Sequence, residues 1–207
     1  MKVLVIGATG ATGSIAVRLL LEAGHQVTAF VRDPAKFTVT HERLRVSVGD
    51  ARDAASLDAA VAGQDAVLAA FGPRSLKRDD LQEAFNRNLS AAMRKQGVRR
   101  LVNLSAMGAG DSRPQAPWLF RSVILPLFLK HAFADKERGE AVLFDSGLDL
   151  VNVRPGRLLN SPSKGPLRAS LDPRGLSSMA TREDLAAFMV GQLDKPDWVG
   201  KSPLVGY

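Results

Sequence analysis

The stretch Lys2-Val3-Leu4-Val5-Ile6-Gly7-Ala8-Thr9-Gly10-Ala11-Thr12-Gly13 decides the fold. Its first half is a continuous apolar, β-branched run, the pattern of a strand covered on both faces. Its second half spaces three glycines as G-x-x-G-x-x-G. A helical pattern, predicted over Gly13–Ala23, follows at once. Strand, glycine turn and helix in that order form a cradle for a pyrophosphate. The chain must turn sharply and expose its backbone, which a Cβ would obstruct. The helix start then offers unpaired N–H groups and the positive end of its dipole. The glycine spacing alone is a weak signal, but its strand–turn–helix setting makes it specific for a dinucleotide.

Outward from this stretch the pattern repeats. Apolar runs at Gln26–Val31, Leu44–Val48, Asp65–Ala70, Arg99–Leu104 and Leu148–Val153 predict further strands. Helical patterns at Asp53–Ala62, Asp80–Gln96 and Phe133–Ser146 fall between most of them. Gly24, Gly63, Gly97 and Gly147 stand just past four helices, where a left-handed cap is wanted. Asp53, and Asp79 or Asp80, can cap helix starts, and Thr181-Arg-Glu-Asp184 resembles a capping box. The order βαβαβ predicts an α/β fold, a Rossmann-like doubly wound parallel sheet in a single domain. Residues 1–157 would form the cofactor-binding core. Residues 158–207 would add a small substrate-side extension, with a short strand near Ser177–Ala180, the capped helix, and a last strand near Pro203–Val205.

Composition narrows the classes. With 207 residues, 45% of them hydrophobic, the chain can bury a full core. It has no cysteine and three scattered histidines, which argues against thiolate zinc sites, cysteine nucleophiles, disulfides and a histidine metal centre. The absence of cysteine suits a cytoplasmic setting. The net charge of +7 comes mostly from dispersed arginines. Groupings such as Arg74/Lys77/Arg78 and Arg94/Lys95/Arg99/Arg100 are too short for a nucleic-acid tract. An anionic cofactor accounts for the charge without nucleic acid. The opening apolar run is too short for a signal peptide. The apolar stretch Trp118–Phe133 is interrupted by Arg121, Pro126 and Lys130, so no membrane span is expected. It reads as a helix or two covering the sheet, with any exposed part free to make a dimer face or a membrane-surface contact.

Strand ends carry the candidate cofactor residues, because ligands of open α/β sheets bind outside the carboxyl ends of the strands. Gly7, Thr9, Gly10, Ala11, Thr12 and Gly13 would hold the diphosphate. Nineteen positions after Gly13, the second strand ends in Arg32 where NAD sites place an acid against the ribose 2′-OH. A planar, permanently charged guanidinium suits a 2′-phosphate and favours NADP(H) over NAD(H). The alternative is a solvated charge at a strand end. Lys36 could assist, and Asp33 could cap the turn at Pro34. Asp50, followed by Ala51, could accept from the adenine amino group or serve a helix start. After Phe71, Gly72 would let the backbone pass close to the cofactor or serve as an ordinary turn glycine. Ser105 ends the fifth strand, beside the expected nicotinamide, and could orient a carboxamide or a substrate carbonyl. Met107, Trp118, Leu119 and Phe120 could wall the substrate pocket or belong to ordinary core.

The motifs Val5-Ile6-Gly-Ala-Thr-Gly-Ala-Thr-Gly13, Val31-Arg-Asp-Pro34, Val48-Gly-Asp50, Gly63-Gln-Asp-Ala-Val67, Leu104-Ser-Ala106 and Val153-Arg-Pro-Gly156 together resemble those of the atypical short-chain dehydrogenase/reductases. Within them the likeness is to the NAD(P)H-binding, NmrA-like group that includes biliverdin-IXβ/flavin reductases. It extends over nearly the whole chain, including Met179–Ala186. The chain departs from the superfamily's Tyr-x-x-x-Lys pair. Its one tyrosine is Tyr207, and Ala132 stands four residues before the candidate lysine, Lys136. Lys136 and Glu140 could instead be a plain i,i+4 pair. The resemblance implies an NADPH-dependent oxidoreductase acting on a planar acceptor (flavin, quinone or bilin-like) without that proton donor. Arg157 would stand on the substrate side, while Arg154 reads as structural, paired with an internal carboxylate. The alternative it implies is a non-catalytic, NADP-binding redox sensor of the NmrA kind. The expected partner is a small molecule, the expected state a monomer or homodimer.

Overall fold

A computed structural model describes residues 1–72 and 79–207. The grouping Arg74/Lys77/Arg78 therefore lies outside the described residues. Strands β1 (Lys2–Ile6), β2 (Gln26–Val31), β3 (Leu44–Val48), β4 (Ala66–Ala69), β5 (Arg100–Leu104) and β6 (Asp149–Pro155) lie in the order β3-β2-β1-β4-β5-β6, all parallel. This is the doubly wound order that reverses at β1, and the glycine turn sits at that reversal. The order β1→β2→β3 runs to one edge. The chain then crosses back to place β4 on the other side of β1.

Helices cover both faces. On one, α1 (Ala11–Glu22) packs beside α5 (Arg182–Val190), and Ala16, Val17, Leu20, Leu185 and Met189 meet Val3, Val5, Ala29 and Val102 of the sheet. On the other, α2 (Ala54–Val61), α3 (Leu81–Lys95) and α4 (Lys130–Phe144) bury Leu57, Phe85, Leu89, Met93 and Leu143 against Leu4, Ile6, Val67 and Leu101. Alternate strand residues thus point into two separate cores, which explains why the central strands read as unbroken hydrophobics. β3 does not follow that pattern. It is the edge strand, and its Val46 and Val48 remain exposed.

The end of the chain is woven into the same unit. β10 (Leu204–Gly206) adds parallel to β6, and β8 (Arg168–Ser170) adds antiparallel to β10. Short strands β7 (Arg157–Leu159) and β9 (Met179–Thr181) pair separately. The glycines at 24, 63, 97 and 147 all take positive φ, between 71° and 83°, and end their helices as the sequence predicts. Asp53 caps α2 through the N–H groups of Ala55 and Ser56. Neither Asp79 nor Asp80 caps α3. The buried carboxylate of Asp135, reaching across from α4, accepts from Gln82 N at 2.8 Å and Glu83 N at 3.2 Å instead.

At α5, Thr181 Oγ1 accepts from Asp184 N at 3.1 Å, half of the expected capping box. The Thr181 N–H goes to the Tyr207 hydroxyl at 3.1 Å, and that hydroxyl donates to Asp184. The single tyrosine is therefore a strut between the chain end and α5. Burial alone would raise the Asp184 carboxyl, but Lys164 N–H and the hydroxyls of Ser163, Thr181 and Tyr207 hold its pKa down at about 2.

Trp118–Phe133 is helical over most of its length as expected, but its part before α4 does not cover the sheet. Phe120–Leu129 winds as a π-helix into α4, with Pro126 inside it unable to donate an N–H. Leu125 is its only buried residue, while Trp118, Leu119, Leu127 and Phe128 face solvent. The expected cover of the sheet failed because apolar content says that a segment seeks burial, not which neighbour supplies it.

Candidate functional site

The carboxyl ends of β1–β4 border a cleft of about 360 Å³. Gly7, Thr9 and Gly10 form its floor, Arg32 follows β2, Gly49, Asp50 and Ala51 follow β3, and Phe71 and Gly72 follow β4. The glycines are sterically required. Gly7 has φ +84°, and a Cβ there would stand 2.4 Å from the Ala70 carbonyl oxygen. A Cβ on Gly13 would stand 2.1 Å from the Gly7 carbonyl oxygen, inside van der Waals contact. Turn and helix are thereby pressed together, and no side chain caps the helix start at Gly10. Ala11, Thr12 and Gly13 do not line the cleft with side chains. They form the first turn of α1, whose N–H groups have no partner within the helix. An uncapped helix start above a glycine cradle fits a diphosphate.

Around that cradle, Arg32 is exposed at the cleft wall and forms no ion pair among the described residues. Lys36 lies 3.2 Å from Asp33, and that ammonium, with the Ala35 N–H, holds the Asp33 carboxyl below its usual range. Asp33 caps the turn that begins at Pro34, as the sequence suggests. Asp50 accepts from Arg52 N at 2.8 Å and leaves the helix cap to Asp53. Phe71 packs on Phe85 with ring centroids 4.5 Å apart, so the aromatic wall is fixed from below. Sequence reasoning missed Arg52, which spans the cleft to Asp79 and to Asp80 at 3.1 Å. No local pattern signals a pair separated by 27 positions.

Beyond β5 the character of the edge changes. A second cavity of about 590 Å³ lies past Ser105 and is lined by Met107, Phe120, Ile124, Phe133, Arg157 and Met179, among others. Met107 and Phe120 stand where the sequence reading expects a pocket wall. Trp118 and Leu119 do not, since both project into solvent. Phe120 and Phe133 meet edge-on at 5.7 Å. Ile124, Ser178 and Met179 were missed because their segments approach the cavity only through tertiary packing.

A buried polar hub joins the end of β5, β6 and α4. Glu140 accepts from the Ser105 hydroxyl, from Asn152 Nδ2 at 3.0 Å, and from Arg154 at 3.3 Å through Nε and 2.6 Å through Nη2. Arg154 also reaches Asp111, which clips the loop after β5 to the core. Arg154 is thus paired internally, as the sequence suggests. Lys136 lies one turn before Glu140 on α4 and is 9% exposed, yet it forms no ion pair within 4 Å among the described residues. Burial lowers the pKa of its ammonium, against the pull of Glu140 and Asp135. The simple Lys136–Glu140 pair does not form, because Arg154 occupies the carboxylate.

Of the candidate residues, Gly7, Thr9, Gly10, Arg32, Asp50, Ala51, Phe71 and Gly72 share one cleft. Ser105 bonds Glu140, Lys136 is buried one turn before Glu140 without pairing to it, and Arg157 lines the neighbouring cavity. A family model for NAD(P)H-binding proteins matches residues 7–196, the span from the glycine turn past α5. The chain belongs to this NAD(P)H-binding family. It is 36% identical, over 94% of its length, to an NAD(P)H azoreductase of Xenophilus azovorans. It spans 64% of that relative's length. Two solved structures share the fold. The anaerobillin reductase ChuY of Escherichia coli O157:H7 superposes with a TM-score of 0.84 at 22% identity, over 99% of this chain and 96% of the other. A short-chain dehydrogenase/reductase of Veillonella parvula, solved in complex with NADP, gives 0.83 at 18% identity, over 100% and 94%.

Proposed function

We propose that this NAD(P)H-binding protein is an NADPH-dependent oxidoreductase that reduces a planar acceptor of the flavin, quinone, bilin or azo kind. The observation that carries the reading is the adjacency of two cavities along one sheet edge. A glycine-floored cleft with a mixed polar and apolar lining spans the ends of β1–β4, and an apolar cavity follows the ends of β5 and β6. When bound, the nicotinamide supplies the hydride. The N–H groups of the loop and of the first turn of α1 hold the diphosphate. Arg32 grips the 2′-phosphate, Asp50 accepts from the adenine amino group, and Ala51, Phe71 and Gly72 flank the nucleotide.

Ser105 acts at the boundary between the cavities. Its proton is committed to Glu140, so its oxygen is left to accept. It therefore suits an amide N–H of the carboxamide better than a carbonyl. Lys136 keeps a poorly solvated ammonium in the same interior and reinforces the nucleotide side. Arg157 orients the acceptor in the apolar cavity. With Ala132 one turn before Lys136, no phenol is available there, and solvent supplies the proton. Alignment and exclusion of bulk water are then the protein's contribution.

The test is NADPH oxidation by the purified chain with FMN, a soluble quinone, a bilin and an azo dye. Turnover with at least one, and a rise in its KM in Arg157→Ala, is the expected result. Tight NADPH binding without turnover would favour the other reading, a redox sensor. The commitment of Ser105 to Glu140 supports that alternative, and it requires unequal affinities for NADP⁺ and NADPH.

A further inference from the structure

The two cavities leave one feature unused. Over Trp118–Phe128 the chain exposes five large apolar side chains, including Trp118 at 66%, Leu127 at 70% and Phe128 at 63%. Elsewhere, exposed apolar side chains of the described residues are scattered. Within the segment itself the charge has one sign. From residue 112 to 134 the chain has no Asp or Glu, while Arg113, Arg121 and Lys130 are all exposed. The whole chain carries +7.

We propose that the segment Pro117–Lys130 docks on an anionic lipid surface. Exposed Trp, Leu and Phe beside Arg and Lys are the composition of a helix that lies in the headgroup region. The apolar side chains enter the acyl boundary, and the cations meet lipid phosphates. The segment does not cross the bilayer, for no described helix is long and apolar enough to do so. The lack of acidic residues decides between occupants. A second copy would bring another acid-free, cationic patch against this one, and like charges would meet. Phe120, Ile124 and Leu129 of the same segment line the apolar cavity, so one wall of that cavity would rest on the lipid.

Flotation of the full chain tests this, with vesicles of phosphatidylcholine alone or mixed with phosphatidylglycerol. The chain should float with the mixed vesicles, stay behind with the neutral ones, and be released by high salt. Trp118 emission, read in a Trp198→Phe background, should move to shorter wavelength on the mixed vesicles. The double variant Leu127→Ser/Phe128→Ser should partition about tenfold more weakly or less, with unchanged melting temperature. Absence of flotation overturns the proposal. So does flotation that the double variant retains, or equal flotation with neutral vesicles. A dimer in sedimentation that the double variant dissolves, without flotation of the parent chain, assigns the patch to a second copy and overturns it too. NADPH titration of the same samples reads the nucleotide cleft separately, so failure of flotation leaves the oxidoreductase reading standing.

Discussion

Glu140 and Arg154 form an ion pair of 2.6 Å in which both side chains are 5% exposed or less. The pair joins α4 to β6, and through Asp111 it holds the loop that borders the apolar cavity. Removing one partner strands the other charge. Glu140→Ala should therefore cost about 3–5 kcal/mol of stability. Glu140→Gln, which keeps an acceptor for Ser105, should cost less. Urea denaturation of both variants checks the order. Equal costs would mean that the lost charge accounts for the whole effect and the retained acceptor for none of it.

The contact of Gly13 with Gly7 sets a second expectation. Gly13→Ala places a methyl 2.1 Å from a backbone oxygen, and neither neighbour is a flexible side chain that could yield. The turn must open. Overpacking of this kind costs about 1–3 kcal/mol, and NADPH affinity should fall with it. Calorimetric titration beside a thermal melt separates the two effects. Unchanged affinity would remove the helix start from the binding site.

How much of this was legible in the sequence depends on the range of the contact involved. β1 and β2 begin and end where their apolar runs do, because a run buried on both faces is a local property, and β3 keeps its predicted bounds although Val46 and Val48 are exposed at the sheet edge. The glycine turn was legible because its steric demand falls on neighbouring residues. The cap of α3 was not, since Asp135 arrives from a helix 53 positions away. The face of Phe120–Leu129 was not legible either, because its burial depends on which elements happen to pack there. In the site, each strand end was readable one by one. The Glu140 hub, joining Ser105, Asn152 and Arg154, exists only once β5, β6 and α4 are assembled.

Asp184 gives a pH dependence with a definite sign. Its folded pKa, about 2, lies below the ordinary carboxylate value of 3.8. The stabilisation is therefore full above that ordinary value and is lost as pH falls towards 2. Its size is at most about 2.5 kcal/mol. Asp184→Asn should melt below the parent chain at neutral pH, and the gap should close between pH 4 and pH 2. A gap constant over that window would mean that the network holds a neutral acid equally well.

Lys136 has the opposite logic. Burial lowers the folded pKa of its ammonium below 10.5, so the charged form destabilises the fold at neutral pH. The unfolded chain binds the extra proton, and stability rises as pH climbs towards the ordinary lysine value. Lys136→Met should raise the melting temperature at pH 7, lose that advantage in alkali, and slow NADPH oxidation. A variant more stable and equally active would make Lys136 a bystander.

The account rests on an exposed guanidinium beside a glycine cradle, and Arg32→Ala probes it most directly. The measurement is the dissociation constant of this variant for NADPH and for NADH, by calorimetry, against the parent chain. A charge-assisted bidentate contact of this kind contributes about 1.5–3 kcal/mol. NADPH should bind roughly ten- to a hundredfold more weakly, with NADH changed little. Equal losses for the two nucleotides would contradict the assignment.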